Sequence, residues 1–247
     1  AAEAALRYGS NVGLARARAE FVKTRLIEAI REKAPDLAPR PGEVLALVPG
    51  VKVDTQYASE KSHVSIRGQG ILTETGIRGI EVLLDGIPLN GPGGFAPDLY
   101  DVDWGTVERV EVIRGPSGAL YGGGSSAGVI NIVTRDGRTA TEAGGVGAFT
   151  GANRFVKALG EVAGTSDHAD YRFSASSASG DGNRVHSAFT ATNLYGKARF
   201  EVSPSFLLTA LVMGTNYRNE NPEGLNRQQL SDDPYQANPD SITYDEF

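Results

Sequence analysis

Residues 107–135 read VERVEVIRGPSGALYGGGSSAGVINIVTR. Two runs rich in β-branched residues, Val107–Arg114 and Val129–Thr134, flank a turn-dense middle, and branched side chains suit the pleated surface of a sheet better than a helix. Gly115-Pro116 and Gly122–Gly124 mark sharp turns on either side of a one- or two-turn helix. Pro116 suits the first position of that helix, because the N–H it lacks would find no partner there. Strand, short helix and strand together predict a small α+β unit.

Two chemical motifs are mimicked inside this stretch. GSSAG at 124–128 fits the G-x-S-x-G spacing of a hydrolase nucleophile elbow, with Ser126 as nucleophile and His168 or His186 downstream as base. An elbow needs a strand before the serine and a helix after it, whereas the strand VINIVT follows here. A phosphate-cradling loop would need Gly-Lys-Ser/Thr and a following helix, and has neither. His63, His168 and His186 lack metal-ligand spacing. No catalytic residue, cofactor or metal is therefore predicted.

Upstream, from Val44 to Thr134, short β-branched runs alternate with glycine-rich turns, and EVLALVPG forms a brief helical patch. In VLLDGIPLN, apolar residues flank Asp85-Gly86, a pair that readily takes the positive φ angles of a type I′ turn and so predicts a tight hairpin. Residues 10–33 are the strongly helical stretch: Ser10 or Asn11 can cap it, and Val22, Leu26, Ala29 and Ile30 share one apolar face. Pro35, Pro39 and Pro41 then break the helix and mark a linker. The start, AAEAALRYGSNVG, has no basic region followed by an apolar run, so no signal peptide is expected there.

Downstream of Arg135 the texture changes to alternating segments of roughly ten residues, at about 142–150, 154–163, 169–179, 194–202 and 205–217. In LYGKARFEV, Leu194, Ala198, Phe200 and Val202 oppose Lys197, Arg199 and Glu201 in parity, giving an oily face and a charged face. Connections alternate too: GTSDH and SPS are short, while SGDGNRVHS and everything after Asn219 are long. Strands between lipid and a wet lumen have this form, although a soluble antiparallel sandwich alternates as well. No run reaches the roughly 18 apolar residues of a membrane-spanning helix.

Composition agrees with strands and turns, with 31 glycines in 247 residues, nearly twice the usual ~7%. The 24 basic and 30 acidic residues leave a net charge of -6 without a basic stripe, which argues against nucleic acid as a partner. The absence of cysteine excludes disulfides and thiolate metal sites.

The series LALVPGVKV, VSIRGQG, VLLDGIPLN and VERVEVIRGPSGALYGGGSSAGVINIVTR, in that order, resembles the plug signature of TonB-dependent outer-membrane receptors. The resemblance implies three parts: an N-terminal helical segment and linker over 1–40, an α+β plug over 41–140, and the first strands of a transmembrane β-barrel, incomplete at Phe247, over 141–247. It further implies an outer-membrane, non-enzymatic receptor that binds a scarce nutrient such as a siderophore-iron complex, a cobalamin or a glycan. The partners would be TonB and outer-membrane lipid. A truncated or fused plug module that binds ligand or partner without transport is the alternative.

By the same resemblance, Arg67 and Arg114 would latch the plug to barrel glutamates, because a planar guanidinium can pair bidentately with carboxylates in a confined space. The competing expectation pairs them with Glu108 or Glu111 inside the plug. Gly68, Asp85, Gly86, Glu108, Arg109, Glu111, Gly115 and Pro116 would be scaffold, and Gln69, Thr73, Glu74, Asn90 and Phe95 would lie in loops facing the ligand. No TonB box is recognisable before the plug. In its place Asn11, Leu14, Arg18, Ala19, Val22 and Leu26 resemble in spacing the helix of OmpA-like peptidoglycan-binding domains, which an ordinary amphipathic helix also accounts for.

Overall fold

The computed structural model of the chain describes residue 45 and residues 47–56, 61–69, 71–73, 76–96, 99, 102–140 and 143–244. The helix expected over 10–33, its resemblance to an OmpA-like helix, the proline linker and Glu74 lie outside these residues. The chain forms two compact units: one takes in Ser62–Leu99 and Val107–Thr134 with the chain up to Thr55, and the other Gln56–Lys61, Tyr100–Thr106 and Arg135–Phe247.

In the first unit, β1 (Val51–Gln56) pairs with β2 (Lys61–Ile66). The strands β3 (Ile71–Thr73), β4 (Gly76–Arg78) and β7 (Phe95–Ala96) make a small antiparallel sheet. The main sheet is built from β5 (Ile80–Leu84), β6 (Ile87–Pro88), β8 (Val107–Arg114) and β9 (Gly128–Thr134), in the order β6-β5-β9-β8. Its β5 and β9 run parallel and the other neighbours antiparallel. Every residue of β5 is buried, as a strand covered on both faces requires. Ile80, Val82, Leu84, Val129, Ile130 and Ile132 form the core, each contributing roughly 1.5 to 3 kcal/mol by burial.

Two local signals produce these connections. Asp85 at φ 51° and Gly86 at φ 84° make a two-residue turn that pairs Leu84 with Ile87, as the Asp-Gly pair predicts. The short helix α1 (Gly118–Tyr121) lies between β8 and β9. Ser126 follows this helix and precedes β9, the reverse of a nucleophile elbow.

The second unit is a meander. Strands β10 (Gly144–Thr150), β11 (Val156–Thr165), β12 (Ala169–Gly180), β13 (Phe189–Ser203) and β14 (Phe206–Asn219) pair antiparallel in sequence order. Their connections over 166–168 and 204–205 are short; 181–188 is longer, and the segment after β14 carries α2 (Arg227–Asp232) and α3 (Pro239–Tyr244). Leu194 is 55% exposed and Phe200 45%, while Lys197 is 7% exposed on the opposite face. Register carries the oily face across the sheet: Phe200 stands opposite Ala169 and Leu208, Ala198 opposite Tyr171, and Phe173 opposite Val162. This is the arrangement of barrel strands with an apolar exterior and a polar interior. Among the described residues no helix is long and apolar enough to cross a membrane, which says nothing of strands.

Candidate functional site

The two arginines expected to form a latch end two strands, β2 and β8, and meet at one turn. Arg67 leaves β2 at φ 52° and is followed by Gly68 at φ 75°. Its backbone N–H donates to the Gly50 carbonyl at 2.6 Å. Arg114 ends β8, and its Nη1 donates to the neighbouring Pro49 carbonyl at 2.5 Å. A Cβ placed on Gly50 would lie 3.5 Å from Arg67 Cγ and 3.9 Å from Arg114 Nη1, so the Pro49-Gly50 turn holds both side chains beside it. Both arginines are exposed. Among the described residues neither guanidinium is paired with a carboxylate.

Glu108 and Glu111, the competing partners for those arginines, are engaged by Arg109. Its Nη1 meets Glu108 and its Nε meets Glu111, both at 2.9 Å. A register shift between Val107 and Arg109 breaks the simple alternation of β8, which simple parity counting does not register. Burial works to lower the Arg109 pKa, but the two carboxylates more than offset it and raise it. Glu111 also accepts from Asn131 Nδ2 at 3.0 Å, and Asn131 Oδ1 accepts from the Gly86 N–H at 3.1 Å. Asp85 accepts from the Thr134 N–H at 3.0 Å and from the Thr134 hydroxyl. Gly86, Asn131, Glu111, Arg109 and Glu108 thus form one polar chain from the hairpin tip across β9 to β8.

The expected ligand-facing residues that the structure describes lie in separate elements. Gln69 is exposed and exchanges backbone hydrogen bonds with Ile66, and Thr73 ends β3. Asn90 commits its amide to β5, accepting from the Val82 N–H at 2.7 Å and donating to the Ile80 carbonyl at 2.9 Å. It therefore braces the hairpin. Phe95 is half-buried beneath Arg78, whose guanidinium carbon lies 4.2 Å from the ring centroid. Pairing of β4 with β7 places them opposite each other.

A second cluster, on the charged face of the meander, was not expected from sequence. Arg172 grips Glu161 through Nε at 3.2 Å and Nη2 at 2.8 Å, and Arg135 approaches the same carboxylate at 3.5 Å. Asp170, 1% exposed, meets Arg199 and Arg138 at 3.0 Å, and Arg199 also meets Asp136 at 2.7 Å. Further along, Asp103 accepts from Ser176 Oγ at 2.6 Å, the Gly105 N–H at 2.9 Å and Lys157 Nζ at 3.1 Å. Burial pushes the Asp103 pKa up, but Lys157, Ser176 and the Gly105 amide prevail and hold it below its usual value. The parity of Lys157 and Arg172 was available in the sequence; the partners, 54 and 11 positions away, were not. Among the described residues no group of His, Asp or Glu side chains is placed to hold a metal.

Comparison with known proteins places this geometry. Residues 29–129 match the model of the TonB-dependent receptor plug domain. The ferric aerobactin receptor of Klebsiella pneumoniae is 33% identical over 133 residues, covering 52% of this chain and 17% of that protein. The vitamin B12 transporter BtuB of Vibrio vulnificus is 37% identical over 97 residues, covering 37% of this chain and 14% of that protein. Among solved structures, the unliganded ferric citrate transporter FecA aligns with a TM-score of 0.65 and 25% identity, over 84% of this chain and 33% of its own. The siderophore receptor PirA of Acinetobacter baumannii shares the fold, with a TM-score of 0.58 at 18% identity over 76% of this chain and 31% of its own. The chain therefore spans less than a fifth of either sequence relative.

Proposed function

We infer that the chain is part of a TonB-dependent receptor of the bacterial outer membrane, with a plug domain and the first strands of the barrel, and that it serves the uptake of a scarce nutrient into the periplasm. The nutrient is of the iron-siderophore or cobalamin class, and entry follows a TonB-driven rearrangement of the plug. The observation that carries this reading is the passage from a plug sheet to consecutive strands that are apolar on one face and charged on the other. It is the order of parts a gated barrel needs.

Arg67 and Arg114 are the latch. Two exposed guanidinium groups beside one glycine turn repel each other unless carboxylates stand between them. Bidentate pairs with wall glutamates would hold the plug, and such pairs can be exchanged for water when pulled.

The test is uptake by the full-length receptor in cells that lack their own. Accumulation of radiolabelled ferric siderophore or cobalamin that disappears when TonB is deleted is the expected result. Binding at the cell surface without TonB-dependent accumulation would overturn transport and leave a binding module.

A further inference from the structure

Two segments, Gln56–Lys61 and Tyr100–Thr106, interrupt the plug unit in sequence yet belong to the unit of the barrel strands. The second is held there by a turn centred on Asp103, whose described side-chain bonds reach two strands. The Asp103 carboxylate, 8% exposed in its side chain, takes Lys157 Nζ from β11, Ser176 Oγ from β12 and its own turn's Gly105 N–H. Asp103 also accepts through its carbonyl from the Thr106 N–H at 2.9 Å and hydroxyl at 2.7 Å. The Arg135 guanidinium donates to the Gly105 carbonyl, and the Arg135 N–H donates to the Thr106 carbonyl at 2.8 Å. The β8–β9 hairpin, residues 107–134, is thereby closed at its root by residues on both of its flanks.

A chain under tension transmits force along its backbone only as far as the first residue bonded to a fixed body. Among the described residues ahead of Asp103 in the sequence, the part containing β5 meets the β8–β9 hairpin through a ladder of five residue pairs, together with the ties of Asp85, Gly86 and Gly79 and the bond from Arg114 to the Pro49 carbonyl. At Asp103 the load instead falls at once on a buried ion pair and a hydrogen bond to two separate strands. We propose that Asp103, held by Lys157 and Ser176, is the stop point of plug extraction. The chain is drawn out up to this turn, and the hairpin rooted behind it stays on the wall. The proposal rests on the TonB-driven reading above and adds where the rearrangement ends.

The full-length receptor in a lipid bilayer, pulled from the N-terminal side of the plug by single-molecule force spectroscopy, tests this. In the wild type the release should end with the chain extended to Asp103. In Asp103→Ala, load passes to the bonds between Arg135 and the Gly105-Thr106 carbonyls, which peel open from the hairpin root. The release should then lengthen by the 32 residues that separate Asp103 from Arg135, roughly 110 Å at about 3.4 Å per residue. Lys157→Met, which leaves the turn's own sequence intact, should give the same lengthening, and Asp103→Glu should restore the shorter release. Equal release lengths in wild type, Asp103→Ala and Lys157→Met would overturn the stop point while leaving uptake intact. A wild-type plug that releases no segment under load would overturn the rearrangement itself, and the stop point with it.

Discussion

Asp85 has two jobs, of which its neighbours in sequence reveal only the first. At φ 51° it tolerates the left-handed conformation of the hairpin tip, and its carboxylate reaches 49 positions along the chain to Thr134. Replacing it with alanine removes an acceptor from both the Thr134 N–H and hydroxyl, so Asp85→Ala should cost about 1 to 3 kcal/mol. Faster hydrogen exchange at the Thr134 amide would report the loss locally. Glu81 presents the opposite case. It is 7% exposed on fully buried β5, with no hydrogen-bond partner among the described residues, and burial raises its pKa. A raised carboxyl contributes fully only below its unfolded pKa, and that contribution is lost as pH rises through the folded value. Glu81→Gln should therefore melt higher than wild type at neutral pH, and the gap should close as pH falls below about 4. Thermal denaturation across that range checks the sign.

Strand β13 shows how much a ten-residue pattern can decide. The opposed parity of Leu194 and Phe200 against Lys197 and Arg199 predicts which face each occupies, and the structure places them so. A one-residue slip would turn both cations towards lipid, so the register is strongly specified. Leu194→Arg puts a charge on the lipid side and should cost about 2 to 4 kcal/mol if the site lies near the bilayer midplane, read from the unfolding of the receptor in lipid. The alternation of short and long connections was legible, but the content of the long ones was not. The segment after β14 reads only as a long connection, yet it carries two helices, the first with a full capping box between Asn226 and Gln229. Arg184 holds this segment from the β12–β13 connection: Nη1 donates to Glu223 O at 2.8 Å, Nη2 to Pro222 O at 3.1 Å, and Nε and Nη2 to Gln236 O at 3.0 and 2.8 Å. Arg184→Ala should free the loop, at a cost on the order of 2 kcal/mol. Limited proteolysis should then cut within 220–244 several-fold faster while the strands remain protected.

Across the whole molecule, the latch makes a claim about the closed state. Arg67 and Arg114 stand together at Gly50 with no carboxylate on either among the described residues, and wall glutamates are the partners we propose for them. Reversing both charges, Arg67→Glu with Arg114→Glu, should loosen the plug and raise passive permeability of the full-length receptor to small antibiotics. Wild-type permeability in the double reversal would reassign both residues to the plug scaffold.

What the sequence determined by itself is what local chemistry can specify. The Asp85-Gly86 turn follows from backbone sterics and the two-faced strands from a period of two; the short helix before Gly122 was legible as an element, but it starts at Gly118 after a Ser117 cap, so Pro116 precedes the cap and does not occupy the first helical position. The resemblance to the plug family was legible because its motifs are local too. Tertiary structure alone decided which charges meet. Lys157 finds Asp103 and Asp85 finds Thr134 across 54 and 49 positions, and Arg109 takes Glu108 and Glu111, the glutamates weighed as plug partners for Arg67 and Arg114. A buried ion must be partnered wherever the fold carries it, and the partner is set by strand order and register, which no short window of sequence contains.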